Sequence, residues 1–290
     1  MRQRVEYLVV KFLLSLASIM PKAMIYSLFR FFALIVFKVD TKRRKLTIKN
    51  LSLSFPHLAK KQVEDLAKGS FIEISKTVSE ILFMINNRLD VNSVVENADE
   101  ALEKLKGFNH NKGTLYVTAH FGNWEILAQF LALNGLSLSV IGRRGNNELI
   151  EDKITTPFRQ MNGNRNIFKK NAIVQMIKIM KSHGRLGLLL DQKSGNKNSV
   201  RTTFFGREVN TTTSVAMLKT KYDPLLVTMF MKRAENGKYR LIINDPIDLK
   251  EGESSDEAIK NITQHCNDEI EAIVKEYPSQ WFWMHNRWKL

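Results

Sequence analysis

The sequence predicts an α/β fold, with a mainly parallel central sheet flanked by helices and an N-terminal hydrophobic helical membrane anchor. Three observations predict it. From residue 114 onward, apolar runs of strand length alternate with segments of helical periodicity, the pattern of a parallel sheet covered by helices. The first such run ends in His120-Phe-Gly-Asn-Trp-Glu125, which puts polar residues at the carboxyl end of a strand, where open α/β sheets bind ligands. Residues 1–49 hold eleven Lys or Arg against two acids, interleaved with two apolar segments. The expected division is a membrane-anchoring segment over residues 1–40 and a single α/β domain over residues 41–290.

The apolar segments cover residues 7–20 and 24–37, each interrupted by one cation, Lys11 or Arg30. A 14-residue helix rises roughly 21 Å, short of a hydrocarbon core of roughly 30 Å, so embedding in one leaflet is expected rather than spanning. Ordinary buried helices are the alternative. Cleavage as a signal peptide is not expected, because Lys11 breaks the apolar stretch and Ser15-Leu-Ala17 follows it too closely. The run Lys42-Arg43-Arg44-Lys45 suits anionic head groups, and the bias of cations toward the cytoplasm places the globular part on that side.

Residues 60–84 carry helical spacing through Val63, Leu66, Phe71, Ile74, Val78 and Ile81, and residues 96–106 predict a short charged helix. The β-branched run 114–119 predicts a strand. Residues 123–133 predict a helix through Trp124, Leu127, Ala128 and Leu131, stopped by Asn134-Gly135. Strands are then expected at 136–141, 166–168 and 186–190, with helices at 147–161 and 172–183. Phe204-Phe205-Gly206 leads through Arg207 to a helix start at Thr211-Thr-Thr-Ser214, and two more strands, 224–231 and 239–244, precede a helix over 253–276. The closing stretch, Trp281-Phe-Trp-Met-His285-Asn-Arg287-Trp288-Lys289, mixes aromatics with cations and suits either core closure or an interface.

Chemistry centres on residues 120–125. An imidazole near neutral pKa takes a proton from a hydroxyl, and a carboxylate on its other nitrogen fixes the tautomer, so His120 and Glu125 read as a two-part general base. The loop has no Ser or Cys nucleophile, so direct transfer without a covalent intermediate is expected. Backbone amides around Gly122 and Asn123, at a helix N-terminus, would hold a developing oxyanion. A His and a Glu five apart on such a turn also arise without chemistry. No His-Glu-x-x-His pattern or Cys cluster is present, and neither a metal nor a cofactor is expected. The single Cys266 excludes an intrachain disulfide, and the net charge of +15 selects for anionic membrane, nucleic acid or an acidic partner. Nucleic acid is disfavoured, since the basic run abuts apolar segments rather than stacking aromatics.

Taken together, His120-x-x-x-x-Glu125 after a strand, Arg143-Arg144 after the next, Arg159, Leu190-Asp191-Gln192, Phe204-Phe205-Gly206 with Thr211 to Thr213, and the closing aromatic stretch resemble the bacterial lipid A late acyltransferases. This lauroyl/myristoyl transferase family belongs to the lysophospholipid acyltransferase superfamily. Asn50-Leu51 with Phe55-Pro56 also resembles its entry pattern, and Tyr222-Asp223-Pro224 its fourth motif. The resemblance implies transfer of an acyl chain from acyl carrier protein to the hydroxyl of a 3-hydroxyacyl group on a lipid A precursor, at the cytoplasmic face of the bacterial inner membrane. It implies His120 as base and Glu125 as its orienting partner; the residues themselves are read as placing Gly122, Asn123, Arg143, Arg144, Arg159, Asp191 and Gln192 on substrate. For the three arginines a solvated surface charge is the alternative, and for Asp191 a turn cap. Rival readings are acylation of a lysophospholipid, glycerol phosphate or another glycolipid, a thioesterase, and a non-catalytic basic membrane or nucleic-acid binder.

Overall fold

The computed structural model describes residues 1–168, 172–195 and 198–288. Four helices come first: α1 (Arg2–Ile19), α2 (Lys22–Val39), α3 (Thr41–Ser54) and α4 (Lys60–Ile85). Pro21 separates α1 from α2, as expected of a residue tolerated only at a helix start. Asp40 caps α3 by accepting from the Arg43 amide at 3.0 Å. α1 and α2 pack on α4, burying Ala17, Ile25 and Phe29 with Leu82 and Phe83. Their other side leaves Val5, Leu8, Val9, Phe12, Phe31, Phe32 and Ile35 exposed. Among the described residues no helix is long and apolar enough to cross a membrane.

The α/β part continues α5 (Val91–Val94), α6 (Ala98–Lys106), β1 (Thr114–Thr118), α7 (Trp124–Leu133), β2 (Ser139–Gly142), α8 (Glu148–Ile150), α9 (Thr156–Gln160), β3 (Arg165–Phe168), α10 (Ala172–Lys181), β4 (Arg185–Leu189), β5 (Ser199–Phe204), β6 (Arg207–Thr212), α11 (Ser214–Tyr222), β7 (Leu225–Arg233), β8 (Tyr239–Ile243) and α12 (Ser255–Glu276). Six strands form one sheet in the order β3-β2-β4-β1-β7-β8. All neighbours are parallel except β7 and β8. That last pair is joined by a tight turn through Gly237, a connection open only to antiparallel strands. The expectation of a mainly parallel sheet flanked by helices is met.

β1 lies between parallel neighbours and is buried along its whole length, as its unbroken apolar run requires. Its alternate residues serve two cores. Leu115, Val117 and Ala119 face one that includes Ile270 and Val274 of α12. Tyr116 faces the other, with Leu127, Phe130 and Leu131 of α7. Thr118 and His120 continue the Tyr116 side by the two-residue period of a strand.

Two expectations fail locally. Residues 147–161 do not form one helix. A π-helical turn, Glu151–Thr155, interrupts them just before Pro157, whose ring nitrogen cannot donate to the preceding turn. Residues 199–212 form an antiparallel hairpin, β5–β6, instead of a loop leading to a helix at Thr211. The turn places Phe205 at φ 52° and Gly206 at φ 67°, the doubly left-handed turn that matches strand twist.

Candidate active site

β1 and β4 are parallel neighbours, with Thr118 paired to Leu189. Two residues further along each strand the same register brings His120 beside Asp191. The carboxylate is buried, 2 % exposed, and takes three donors: the His120 amide at 3.0 Å, His120 Nδ1 at 2.9 Å and the Trp281 indole at 2.8 Å. Burial alone would raise its pKa, but the charge and hydrogen bonds of His120, with the indole, hold the carboxyl below the usual range. A carboxylate on Nδ1 assigns the proton to that nitrogen and leaves Nε2 unprotonated, an acceptor 3.4 Å from the Gln192 amide nitrogen. His120 remains 23 % exposed in its side chain, against a cavity of about 610 Å³.

The expected partnership of His120 with Glu125 is corrected by this geometry. Glu125 stands in the first turn of α7 and is gripped by Arg159 of α9, whose Nε lies 3.1 and 3.2 Å from its two oxygens. Among the described residues no hydrogen bond joins it to His120. The reason is strand order: the β1–β4 contact delivers a carboxylate from the side of His120, whereas α7 carries Glu125 toward α9. Both Glu125 and Arg159 nonetheless line the same cavity as His120. Burial opposes the Arg159 charge, yet Glu125 and Glu151 raise its pKa above the ordinary value.

Gly122 and Asn123 are also corrected. The Gly122 amide donates to Gln280 O at 2.9 Å and the Asn123 amide to Met231 O at 3.1 Å, so neither is free for a substrate. A Cβ on Gly122, at φ 55°, would meet Met231 O at 1.9 Å, which makes this glycine a packing requirement. Asn123 is fully buried, caps α7 by accepting from the Ile126 amide and donates to Glu80 Oε2 at 2.8 Å. Among the described residues, the first-turn amides left without a protein acceptor are those of Trp124 and Glu125.

Arg143 lines the cavity and donates to Asn146 at 3.2 Å. Arg144 does not line it. It pairs with Asp152 and lies over the Phe168 ring, 5.5 Å from its centroid. Gln192 lines the mouth, its amide nitrogen 3.4 Å from His120 Nε2. Apolar lining comes from Leu127 and Leu131 of α7, Leu138 before β2 and Val140 within it, and Leu188 of β4, beside the polar Gln129, Asn164 and Asn166. Among the described residues no group of His, Cys, Asp or Glu is placed to hold a metal ion.

The closing aromatic stretch clasps both halves of this site. Phe121 bridges Trp281, and the Phe282 amide donates to His120 O at 3.0 Å. His285 Nε2 accepts from the Lys193 amide at 2.9 Å, and Arg287 donates to Gln192 O at 3.2 Å. Asn50 of α3 secures the stretch through the Trp283 and His285 carbonyls. Lys289 lies outside the described residues. Sequence reasoning missed Trp281 as a partner of Asp191 and placed Asp191 on substrate instead of on His120. The available signal was that 114–119 and 186–190 both end in polar residues, as adjacent strands converging on one site would.

The profile of a family described as bacterial lipid A biosynthesis acyltransferase matches residues 1–290. Two curated proteins are each 26 % identical over 258 residues, covering 86 % of this chain and 79 % of theirs. They are a lipid A biosynthesis palmitoleoyltransferase of Escherichia coli (strain K12) and a lipid A biosynthesis acyltransferase of Shigella flexneri. With a strand-end histidine over a partly apolar cavity, and a match running from first residue to last, the chain belongs to the bacterial lipid A biosynthesis acyltransferase family.

Proposed function

We propose that this acyltransferase moves a fatty acyl chain from acyl carrier protein to the hydroxyl of a 3-hydroxyacyl group on a lipid A precursor. The observation that carries the reading is His120, tied through Nδ1 to buried Asp191 and presenting Nε2 to the cavity. Nε2 takes the proton of the acceptor hydroxyl while its oxygen attacks the donor thioester carbonyl. As the tetrahedral intermediate collapses, the C–S bond breaks and the leaving sulfur receives that proton from the imidazolium. Asp191 holds the ring and stabilises the imidazolium in between. The free Trp124 and Glu125 amides and the Arg159 guanidinium are the donors assigned to the carbonyl oxygen. Arg159 also neutralises Glu125, so that a second carboxylate beside the oxyanion carries little net charge. The apolar lining takes the acyl chain.

The exposed apolar side of α1 and α2, with Lys42, Arg43 and Lys45 exposed at the start of α3, supports insertion into one leaflet of the inner membrane from the cytoplasmic side. Donor and acceptor are both acidic, and a chain of net charge +15 attracts both. The test is mass spectrometry of lipid A from cells with the gene, without it, and with His120→Gln. A secondary acyl chain present only with the wild-type gene is expected. Unaltered lipid A alongside a newly acylated lysophospholipid, or release of free fatty acid alone, would overturn the reading.

A further inference from the structure

We infer that Trp281 is a positioning residue for the catalytic histidine, acting through Asp191 from the closing segment of the chain. The inference rests on the reading of His120 as the base. Asp191 Oδ1 receives His120 Nδ1 at 2.9 Å, while Oδ2 is shared by the His120 amide at 3.0 Å and Trp281 Nε1 at 2.8 Å. Both acid and indole are buried, so the indole N–H has no water to turn to. The ring is itself fixed, 4.6 Å from Trp283 and 5.5 Å from Phe204 between centroids.

With the His120 amide on the same oxygen, this bond stops the carboxylate from rotating about its Cβ–Cγ axis, which keeps Oδ1 on Nδ1 and Nε2 toward the cavity. The other charged groups facing the pair are Lys193, His285 and Arg287, with Glu125 and Arg159 across the cavity. Removing the indole donor changes none of these, so a change in the His120 tautomer reports on Trp281.

The experiment is proton–nitrogen NMR of the imidazole in the detergent-solubilised full chain without substrate, comparing wild type with Trp281→Phe. Trp283→Phe is the control, because its buried indole donates instead to Pro278 O. His120 is assigned by its loss in His120→Gln. In Trp281→Phe the neutral His120 ring should lose its single Nδ1–H tautomer and show an Nε2–H signal as well, because the carboxylate no longer keeps one oxygen on Nδ1. In Trp283→Phe the wild-type tautomer should persist. If Trp281→Phe fails to fold, the indole protons answer the same question: that of Trp281 should shift between wild type and His120→Gln while that of Trp283 stays constant. An unchanged His120 tautomer in Trp281→Phe, an equal effect in both variants, or a Trp281 indole proton blind to His120→Gln would each overturn the inference. Because no substrate is present, a failed transfer assay would sink the proposed reaction without touching this result.

Discussion

Two buried carboxylates flank the same βα turn, and their surroundings differ in what they leave over. Glu80 of α4 is 1 % exposed and accepts from Tyr26, Asn123, Tyr239 and both terminal nitrogens of Arg233, whose Nε reaches Glu73 at 2.9 Å. Burial, reinforced by the Glu80 charge, pushes the Tyr26 and Tyr239 hydroxyls well up, so both stay neutral donors. Neither Glu80 nor Arg233 lines the cavity. Asp191 is equally buried and equally satisfied, but one of its donors is a ring with a second nitrogen facing open space. Every donor to Glu80 ends in the cluster, so the cluster braces α2, α4, α7, β7 and β8 around the turn. The Asp191 group passes its charge on to a site that a substrate reaches.

The sharpest way to break this contrast is to exchange acid for amide at Asp191. An amide nitrogen facing Nδ1 favours the opposite tautomer and removes the charge that stabilises the imidazolium. Asp191→Asn should therefore lower transfer by roughly 10²–10⁴-fold. Circular dichroism should keep its shape while the denaturant midpoint falls, because the charge that the neighbours of Asp191 favour is lost, so the rate is taken on the folded fraction. A transfer rate within a few-fold of wild type would return the orienting role to another acid, Glu125 first among them.

The sealed cluster should behave in the reverse way. Arg233→Met strands Glu80 beside neutral donors, while Glu73 keeps Lys76 at 2.6 Å, and breaking a buried pair from one side costs about 3–5 kcal/mol. Urea unfolding should show that loss, while the turnover of the fraction still folded stays within about twofold of wild type. Adding Glu80→Gln should recover part of the stability, since the stranded charge is then gone. A variant as stable as wild type, or one folded yet inactive, would erase the distinction between brace and site.

The contrast also separates what the residue order disclosed from what it concealed. β1 and α7 were legible because an unbroken β-branched apolar run gives way to a hydrophobic period of 3.6 across residues 119–123, and the cavity mouth follows from that junction. The partner of His120 was not. It depends on β4 lying beside β1 in the order β3-β2-β4-β1-β7-β8, and periodicity carries no information about strand order. Nearness along the chain favoured Glu125, five residues away, over Asp191, which is 71 residues away. The hairpin β5–β6 was hidden because its inward positions include Thr202 and Thr211, which bond to each other at 2.8 Å and receive Asn267. Polar strand interiors of this kind have no apolar alternation to read. Gly122 looked like a source of amides, and its requirement is the Met231 carbonyl from β7, a contact that only tertiary packing creates.

The smallest effect concerns the clasp between these regions. His285 has its pKa lowered, chiefly by burial and then by the charges of His120, Arg287 and Lys193, against the pull of Asp191. Its Nε2 accepts from the Lys193 amide, so protonation there destroys the bond. With the folded pKa below the ordinary 6.5, the unfolded chain binds the extra proton first as pH falls. Stability contributed by neutral His285 is therefore complete above that range, declines as pH drops below 6.5, and is gone once the folded pKa is passed. In His285→Gln the carboxamide oxygen can still accept from Lys193 but does not titrate. Near pH 7.5 the variant should differ from wild type by about 1 kcal/mol or less, and thermal melts should show the gap closing or reversing between pH 6.5 and 5. Asp191, with its depressed pKa, adds its own loss only lower, as pH falls below the ordinary carboxylate range, so the two contributions separate along the pH axis. Parallel melting curves across pH 7.5 to 5 would mean that His285 takes up its proton equally in the folded and unfolded chain, and that its bond to Lys193 adds no stability.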